Sequence, residues 1–556
     1  MRICVALLLF VIACSDDDAS QVDASLPDAG ADVVDAVDAG PEDVGGFVDA
    51  GPPGFDGGPL APFDAGAITL PSTALCEAGE AAPYADPGEW PRPHGPGLPT
   101  SEFDEESLFE HCAYLDGGEL DTSDHHNLVT MYDGYLMMPW APEYGRGGLT
   151  FFDVSDACAP SVRGSGWSQT MRETHSIGFS HEGGSFAVTA SMRMVLEYGG
   201  GGVQFWNVED TSAPEHLVDL DVPAFFYPDA YGYIVMSSFW QVPFLYLGAG
   251  FNGIYVVDAT DPSSPVLASQ YTFDPPIRVG QVQAVGNLLV VTATGGARTV
   301  LLDISDPTSP RPIPGGDFQA VDAEGTPREA YFSNFSGGII YYARKDDGGG
   351  LVAMDVRDPS APVYHGGINV AGSGGYVFLQ HERAYVGMGS RAAIFDITDP
   401  LAMVELQELN LEGDLDTFTP LGHIGVLSVD ADAVEDQGSV IVPIASSPDR
   451  RPPSVNFVWP RDGSTDVATS SRVGVTLDEQ VEVRSAFEGS VRVYETESGR
   501  RVAGVVSAQE GFVNFHPRCP LEPDTSYTLE LPAGGVTDFS GNAIAEAFSS
   551  EFRTAP

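Results

Sequence analysis

Short apolar runs recur along the middle of the chain, each with glycine close upstream and aspartate downstream: Leu149-Thr-Phe-Phe152, Val203-Gln-Phe-Trp206, Ile254-Tyr-Val-Val257, Val300-Leu-Leu302, Leu351-Val-Ala-Met354 and Ala392-Ala-Ile-Phe395. Runs this short, rich in β-branched and aromatic residues and bounded by turn formers, read as buried strands. A polar unit follows each one: Asp153-Val-Ser-Asp-Ala-Cys-Ala-Pro160, Asn207-Val-Glu-Asp-Thr-Ser-Ala-Pro214, Asp258-Ala-Thr-Asp-Pro-Ser-Ser-Pro265, Asp303-Ile-Ser-Asp-Pro-Thr-Ser-Pro310, Asp355-Val-Arg-Asp-Pro-Ser-Ala-Pro362 and Asp396-Ile-Thr-Asp-Pro400. Glycine turns the chain into the strand, and aspartate with proline turns it out. No long amphipathic helix interrupts the pattern.

Six copies at an average period of about 49 residues, with at least two strand-like runs per copy, predict a β-propeller rather than a helical solenoid. One more period reaches Val440-Ile-Val-Pro-Ile444 and Ser447-Pro448, a worn seventh copy. The expectation is an all-β chain with a seven-bladed propeller over residues 125–449, six or eight blades being the alternatives. The repeated unit resembles the LVIVD repeat of bacterial surface propellers. Blade two departs from it with Asn207, blades one and two lack the Asp-Pro proline, and blade six lacks the final proline.

After Pro452-Pro453 the period stops, and short strand-like runs continue at Val473–Leu477, Ser490–Tyr494, Val502–Val506, Phe512–Phe515, Tyr527–Leu531 and Glu551–Thr554. That layout suits an Ig-like β-sandwich over residues 450–556. The segments Pro460-Arg-Asp-Gly-Ser-Thr-Asp-Val467, Pro520-Leu-Glu-Pro-Asp-Thr-Ser-Tyr-Thr528 and Val536-Thr-Asp-Phe-Ser-Gly-Asn542 resemble the bacterial Ig-like domain of S-layer and other surface proteins. The resemblance implies a spacer or adhesive module.

A chain of 556 residues that is 43% hydrophobic needs and can fill more than one core. With 80 Asp and Glu against 25 Lys and Arg, the formal charge is −55, which repels phosphate backbones and excludes nucleic acid as a partner. Lys345 is the only lysine.

The N-terminus carries an address. Arg2, an apolar run from Ile3 to Ile12 and then Ala13-Cys14 form a segment too short to span a bilayer as a mature helix. Val11-Ile12-Ala13-Cys14 resembles the lipobox of bacterial lipoproteins, which implies removal of residues 1–13 and acylation of Cys14. The membrane would then be a partner through the anchor. Ser15 after the cysteine implies the outer membrane, by resemblance to enterobacterial sorting. Residues 14–70 are dominated by Asp, Ala, Gly, Pro and Val and cannot form a core, so they read as a tether. Residues 71–124 read as an extension packing on the propeller. Cys4 leaves with the signal, so Cys76, Cys112, Cys158 and Cys519 remain for disulfides in an oxidising compartment. Pairing Cys112 with Cys158 is favoured, which leaves Cys76 and Cys519 to pair or stay free.

Candidate chemistry is sparse. His125 and His126 open blade one, His175 blade two and His423 blade seven, neighbours around a closed ring. Imidazoles brought within ~2.1 Å of a common point could hold a transition metal. The competing reading is that they cap strands. Gly-x-Ser-x-Gly, His-Glu-x-x-His and phosphate-loop motifs are all missing, and no catalytic residue is assigned. An aromatic stretch from Phe225 to Tyr246 either fills blade interfaces or projects as a binding surface. The expectation is therefore a lipid-anchored envelope protein whose propeller is a scaffold for protein or polysaccharide, with no cofactor. The alternative is an envelope metalloenzyme with a His-ligated metal on the axis.

Overall fold

A computed structural model describes residues 84, 90–115, 124–125, 128–142, 147–193, 200–222, 234–345, 348–429 and 438–556. Cys14, the tether, Cys76, His126 and the aromatic residues Phe225–Tyr233 lie outside the described residues, and His125 is placed by its backbone alone. Regular structure in the described residues is β apart from single 3-10 turns.

The repeated motif is a pair of side-chain-capped turns at the end of each third strand. In the third copy the carboxylate of Asp258 accepts from the Thr260 N–H at 3.0 Å, and that of Asp261 from the Ser263 N–H at 2.9 Å. In the fifth, Asp355 and Asp358 cap Arg357 and Ser360 at 2.9 and 3.0 Å. A short carboxylate mimics a backbone acceptor two residues on, which is why aspartate recurs there. Asn207 replaces the first aspartate without loss, because its amide oxygen accepts from the Glu209 N–H at 3.0 Å. Between the two caps an apolar residue turns inward. Ala259, Ile304 and Val356 are buried, and their N–H groups donate back to Pro243, Asn287 and Gly338, at the turn joining the first two strands. Ile444 makes the same bond to His423, so the eroded seventh copy keeps the anchoring residue after its caps are lost.

Seven antiparallel sheets precede the C-terminal domain among the described residues. Their first strands are Thr130–Tyr132, Met171–Ser180, Ser237–Gln241, Val279–Val285, Ala330–Ser336, Val377–Gln380 and Thr417–Leu421. Each packs beside the next, and Thr417–Leu421 lies against Thr130–Tyr132, so the sheets close into a propeller. Outer strands approach the capped turn of the following blade closely. A Cβ on Gly164 would stand 2.2 Å from the Ser212 carbonyl oxygen, so only glycine fits there.

The last sheet contains Thr417–Leu421, Ile424–Ser428 and Ser439–Pro443 in sequence order, and its fourth strand comes from the other end of the chain. Ala113–Leu115 pairs antiparallel with Ser439–Pro443, Tyr114 opposite Val440. The N-terminal extension therefore belongs to the propeller as a strand, beyond the packing expected of it. Its reason is the open edge that a three-stranded sheet would leave. Immediately before this strand Cys112 is disulfide-bonded to Cys158, in the capped turn of the first blade, with Cα atoms 4.8 Å apart. The bond joins the last blade to the first. Cys519 is disulfide-bonded as well.

The C-terminal domain has two four-stranded sheets. One contains Val455–Trp459, Val473–Leu477, Phe512–Pro517 and Gly504–Gln509, and the other contains Ser464–Val467, Phe548–Thr554, Ser526–Leu531 and Arg492–Glu495. Val475, Val493, Phe515, Leu529 and Phe552 fill the space between them.

Replacing Cys112 by Ser should lower the unfolding free energy by up to about 4 kcal/mol, the chain-entropy value for a closed loop with a sequence separation of 46. Urea unfolding under non-reducing conditions measures this, and an unchanged midpoint would mean that the staple adds nothing to ring closure.

Candidate functional site

The turns between first and second strands all lie on one face of the ring, and the C-terminal sandwich is seated on them. Asp133 of blade one accepts from the Arg484 guanidinium at 2.8 Å, and its N–H donates to Glu482. Glu182 of blade two meets Arg518 at 2.6 Å. In blades three and four, Gln241 and the Gly286 N–H both donate to the Asn514 side-chain oxygen, at 3.0 and 2.7 Å. The Gly337 N–H of blade five donates to Asn456 at 3.1 Å, and the His381 N–H of blade six to the Asp478 carbonyl at 2.6 Å. Blade seven accepts at the Pro420 carbonyl from Gln480. All seven blades are engaged.

A hairpin of the sandwich reaches the inner strands of blades three to five. Gln509 accepts from the Trp240 N–H at 3.0 Å and donates to the Ser238 carbonyl at 2.9 Å. Glu510, at the tip with φ of 53°, accepts from Gln283 at 2.8 Å and Asn334 at 3.1 Å. Phe512 packs edge-on against Phe239 with ring centres 5.2 Å apart. Phe239, Trp240, Phe244 and Tyr246 are all buried, so the described end of the aromatic stretch is core and docking surface.

The axis itself is filled by rings. Phe332 of blade five stacks on Tyr376 of blade six at 3.8 Å and 13°, and Tyr331 lies 4.7 Å from Phe332. Across the ring, the Tyr376 hydroxyl donates to the His175 carbonyl of blade two at 3.2 Å, and the His175 ring lies 6.4 Å from Phe332. On the end away from the sandwich, Tyr331 has the Lys345 ammonium 4.1 Å above its ring and Arg278 within electrostatic reach. The only lysine of the chain is thus placed at the end of blade five away from the sandwich.

Of the four histidines singled out in the sequence, the two with described side chains, His175 and His423, do not share one environment. His175 lies buried within the first strand of blade two among the axial rings. His423 does not open blade seven. It occupies the turn between that blade's first two strands, where its Nε2 donates to the Ser101 carbonyl at 3.2 Å and its ring packs on Phe103. Burial lowers its pKa, with the Ser101 bond opposing that shift. His125 has no described side chain and His126 is not described, so neither can be placed relative to these two. One grouping that local sequence did not reveal lies at the seam: His381, Asp449 and Glu479. These residues come from three separate pieces of chain, and no spacing rule links them.

Buried carboxyls of the sandwich set the electrostatics of the capped face. Glu482 is 3% exposed, and burial pushes its carboxyl up to about 7 against the bonds it accepts. Glu510 is likewise pushed up to about 7 by burial, opposed by Gln283 and Asn334. His516 and His181 are held neutral by burial, at about 3 and about 4.

Residues 449–554 match the family of bacterial Ig-like domains, and residues 243–273 match the LVIVD repeat. No curated protein matches the chain. Among solved structures, a periplasmic gluconolactonase of Pseudomonas aeruginosa is similar at a TM-score of 0.44 and 13% identity, over 57% of this chain and 88% of that one. The propeller domain of Cps50 (Swd1) from Myceliophteria thermophila is similar at a TM-score of 0.44 and 11% identity, over 60% and 98%. A putative 6-phosphogluconolactonase of Bacteroides uniformis is similar at a TM-score of 0.40 and 11% identity, over 58% and 98%.

The raised carboxyls predict that stability falls with rising pH. A carboxyl whose folded pKa exceeds its unfolded value supports folding fully below the unfolded value, and that support is lost as pH rises through the folded one. For Glu482 the window runs from 4.5 to about 7, worth about 3 kcal/mol. Glu482→Gln should flatten the decline of Tm across that window, as read by calorimetry at a series of pH values. An equal decline in the variant would place the pH dependence elsewhere.

Proposed function

We propose that the chain is a lipid-anchored protein of the cell envelope, held in the outer membrane through Cys14, whose propeller is a scaffold for a protein or polysaccharide partner. The single observation that carries the scaffold reading is the occupancy of the ring. Its axis is filled by Phe332 and Tyr376, and one face is covered by the sandwich, so among the described residues the face left to a partner is the opposite one. There the Lys345 ammonium sits over the buried ring of Tyr331, and Arg278 lies near. Cations at that end suit polysaccharide that carries acidic groups, as well as acidic peptide. The sandwich then acts as a cap on the propeller, because a module bonded to all seven blades is not a free spacer.

Two measurements test this reading. Cys14→Ser should shift the chain from the membrane pellet to the soluble fraction and abolish detergent partitioning, and unchanged sedimentation would end the lipoprotein reading. Lys345→Glu should weaken capture of envelope polysaccharide or protein by the detergent-solubilised chain by about tenfold, the loss expected when a favourable cation contact becomes repulsive. Equal capture by the variant would remove the end of blade five away from the sandwich from the binding surface.

A further inference from the structure

The seam between propeller and sandwich contains a second feature, independent of the scaffold reading. His381 stands at the inner turn of blade six with φ of 55°, a backbone conformation that an L residue adopts only when its surroundings hold it there. Its main-chain N–H donates to the Asp478 carbonyl, and its Nδ1 lies 3.4 Å from the Asp478 carboxylate. That carboxylate is itself fixed by the Ser454 N–H and hydroxyl, both at 2.8 Å. A carboxylate facing Nδ1 sets the ring so that the Nε2 lone pair points the other way, the arrangement by which proteins present imidazole to a metal.

What Nε2 faces is a pair of carboxylates. Glu479 Oε1 lies 3.5 Å away, and one ligand atom each from His381, Asp449 and Glu479 falls within 4.8 Å of the others. Asp449 uses only its other oxygen, which accepts from the Arg451 N–H at 2.9 Å. His381 Nε2, Asp449 Oδ2 and Glu479 Oε1 are all buried without a hydrogen-bond partner. Glu479 is only 5% exposed, and its Oε1 points into the cluster without a hydrogen bond. Asp538, Asp449 and Asp478 add negative potential around it, partly offset by Arg451, which pairs with Glu382 and lies 3.6 Å from the Asp478 carboxylate.

We propose that His381, Asp449 and Glu479 bind a divalent transition cation that clamps the sandwich to the propeller. One imidazole with two carboxylates suits zinc or manganese, whereas calcium and magnesium favour all-oxygen sites. Ligand atoms around such an ion stand ~3.4 to 4.2 Å apart, so closing the site requires a contraction of about half an ångström. The three ligands come from blade six, the linker after blade seven and the sandwich, so the ion links three separate stretches of chain. Water would complete its coordination. Asp478 is a positioning residue, acting through His381.

The experiment uses the full chain in detergent, stripped with a chelator, dialysed and titrated with zinc chloride by calorimetry, with Tm read in parallel. One zinc per chain and a Tm that rises with free zinc are expected. Glu479→Gln and His381→Ala should each weaken zinc binding at least tenfold and remove the zinc-dependent rise in Tm, and Asp478→Asn should weaken binding about tenfold. In chelator, Glu479→Gln should be at least as stable as the parent, since the amide matches the carboxyl in size and shape, which separates lost binding from failed folding. Absence of stoichiometric zinc in the parent, or parental zinc affinity in Glu479→Gln, would overturn the site. Calcium binding that His381→Ala leaves untouched would overturn the transition-metal assignment.

Discussion

A ring of sheets stands or falls with the contact between its last member and its first, because each sheet buries its faces only against its neighbours. Here the last sheet meets the first through Thr417–Leu421 against Thr130–Tyr132, and three residues from the N-terminal side, Ala113–Leu115, complete that last sheet. A strand this short carries little pairing energy of its own. Cys112 holds it in place through Cys158, on the first blade, so the closure is both hydrogen-bonded and covalent. Around the rest of the ring the same task falls to the capped turns, whose buried apolar residue ties each third strand back to the inner turn of its own blade. Glycines such as Gly164 let the neighbouring blade come close.

Ring closure creates a face with seven inner turns, and the sandwich uses all of them. The contact is unusually polar. Asn514 alone receives donors from two blades and gives its own amide to the Ala284 carbonyl at 3.0 Å. Buried polar groups of this kind cost free energy unless each finds a partner, so they fix one orientation of the cap more sharply than apolar packing would. Phe512, between Phe239 and Phe335, supplies the apolar part. The cost of the design is concentrated in carboxyls such as Glu482 and Glu510, which the docked arrangement removes from water.

The large negative charge of the chain divides into two kinds. Aspartates of the repeated motif are exposed or half-buried and accept from a hydroxyl and a backbone N–H two residues on, as Asp358 and Asp396 do from Ser360 and Thr398, which lowers their pKa values and makes them inexpensive to ionise. Carboxylates at the seam are enclosed and crowd one another. Burial, reinforced by Asp538, Asp449 and Asp478, pushes Glu479 up to about 10. Counting charge along the sequence cannot separate these populations, since solvation is decided by what the fold places over each group.

The sequence by itself determined the blade repeat and the strands, because these rest on interactions within a few residues. An aspartate caps the N–H two positions on whatever surrounds it, and apolar runs between turn formers become strands. The all-β propeller and the Ig-like sandwich followed from that local logic, and even the Asn207 departure was harmless for a local reason. Tertiary structure alone decided the rest. Ala113–Leu115 is too short to show a periodicity, and it becomes a strand only because the last sheet has a free edge. His423 has the same spacing signal as an axial histidine, yet its turn places it under Ser101 and Phe103. His381, Asp449 and Glu479 carry no mutual signal at all, since contacts between residues far apart in sequence exist only after the cap has docked on the ring.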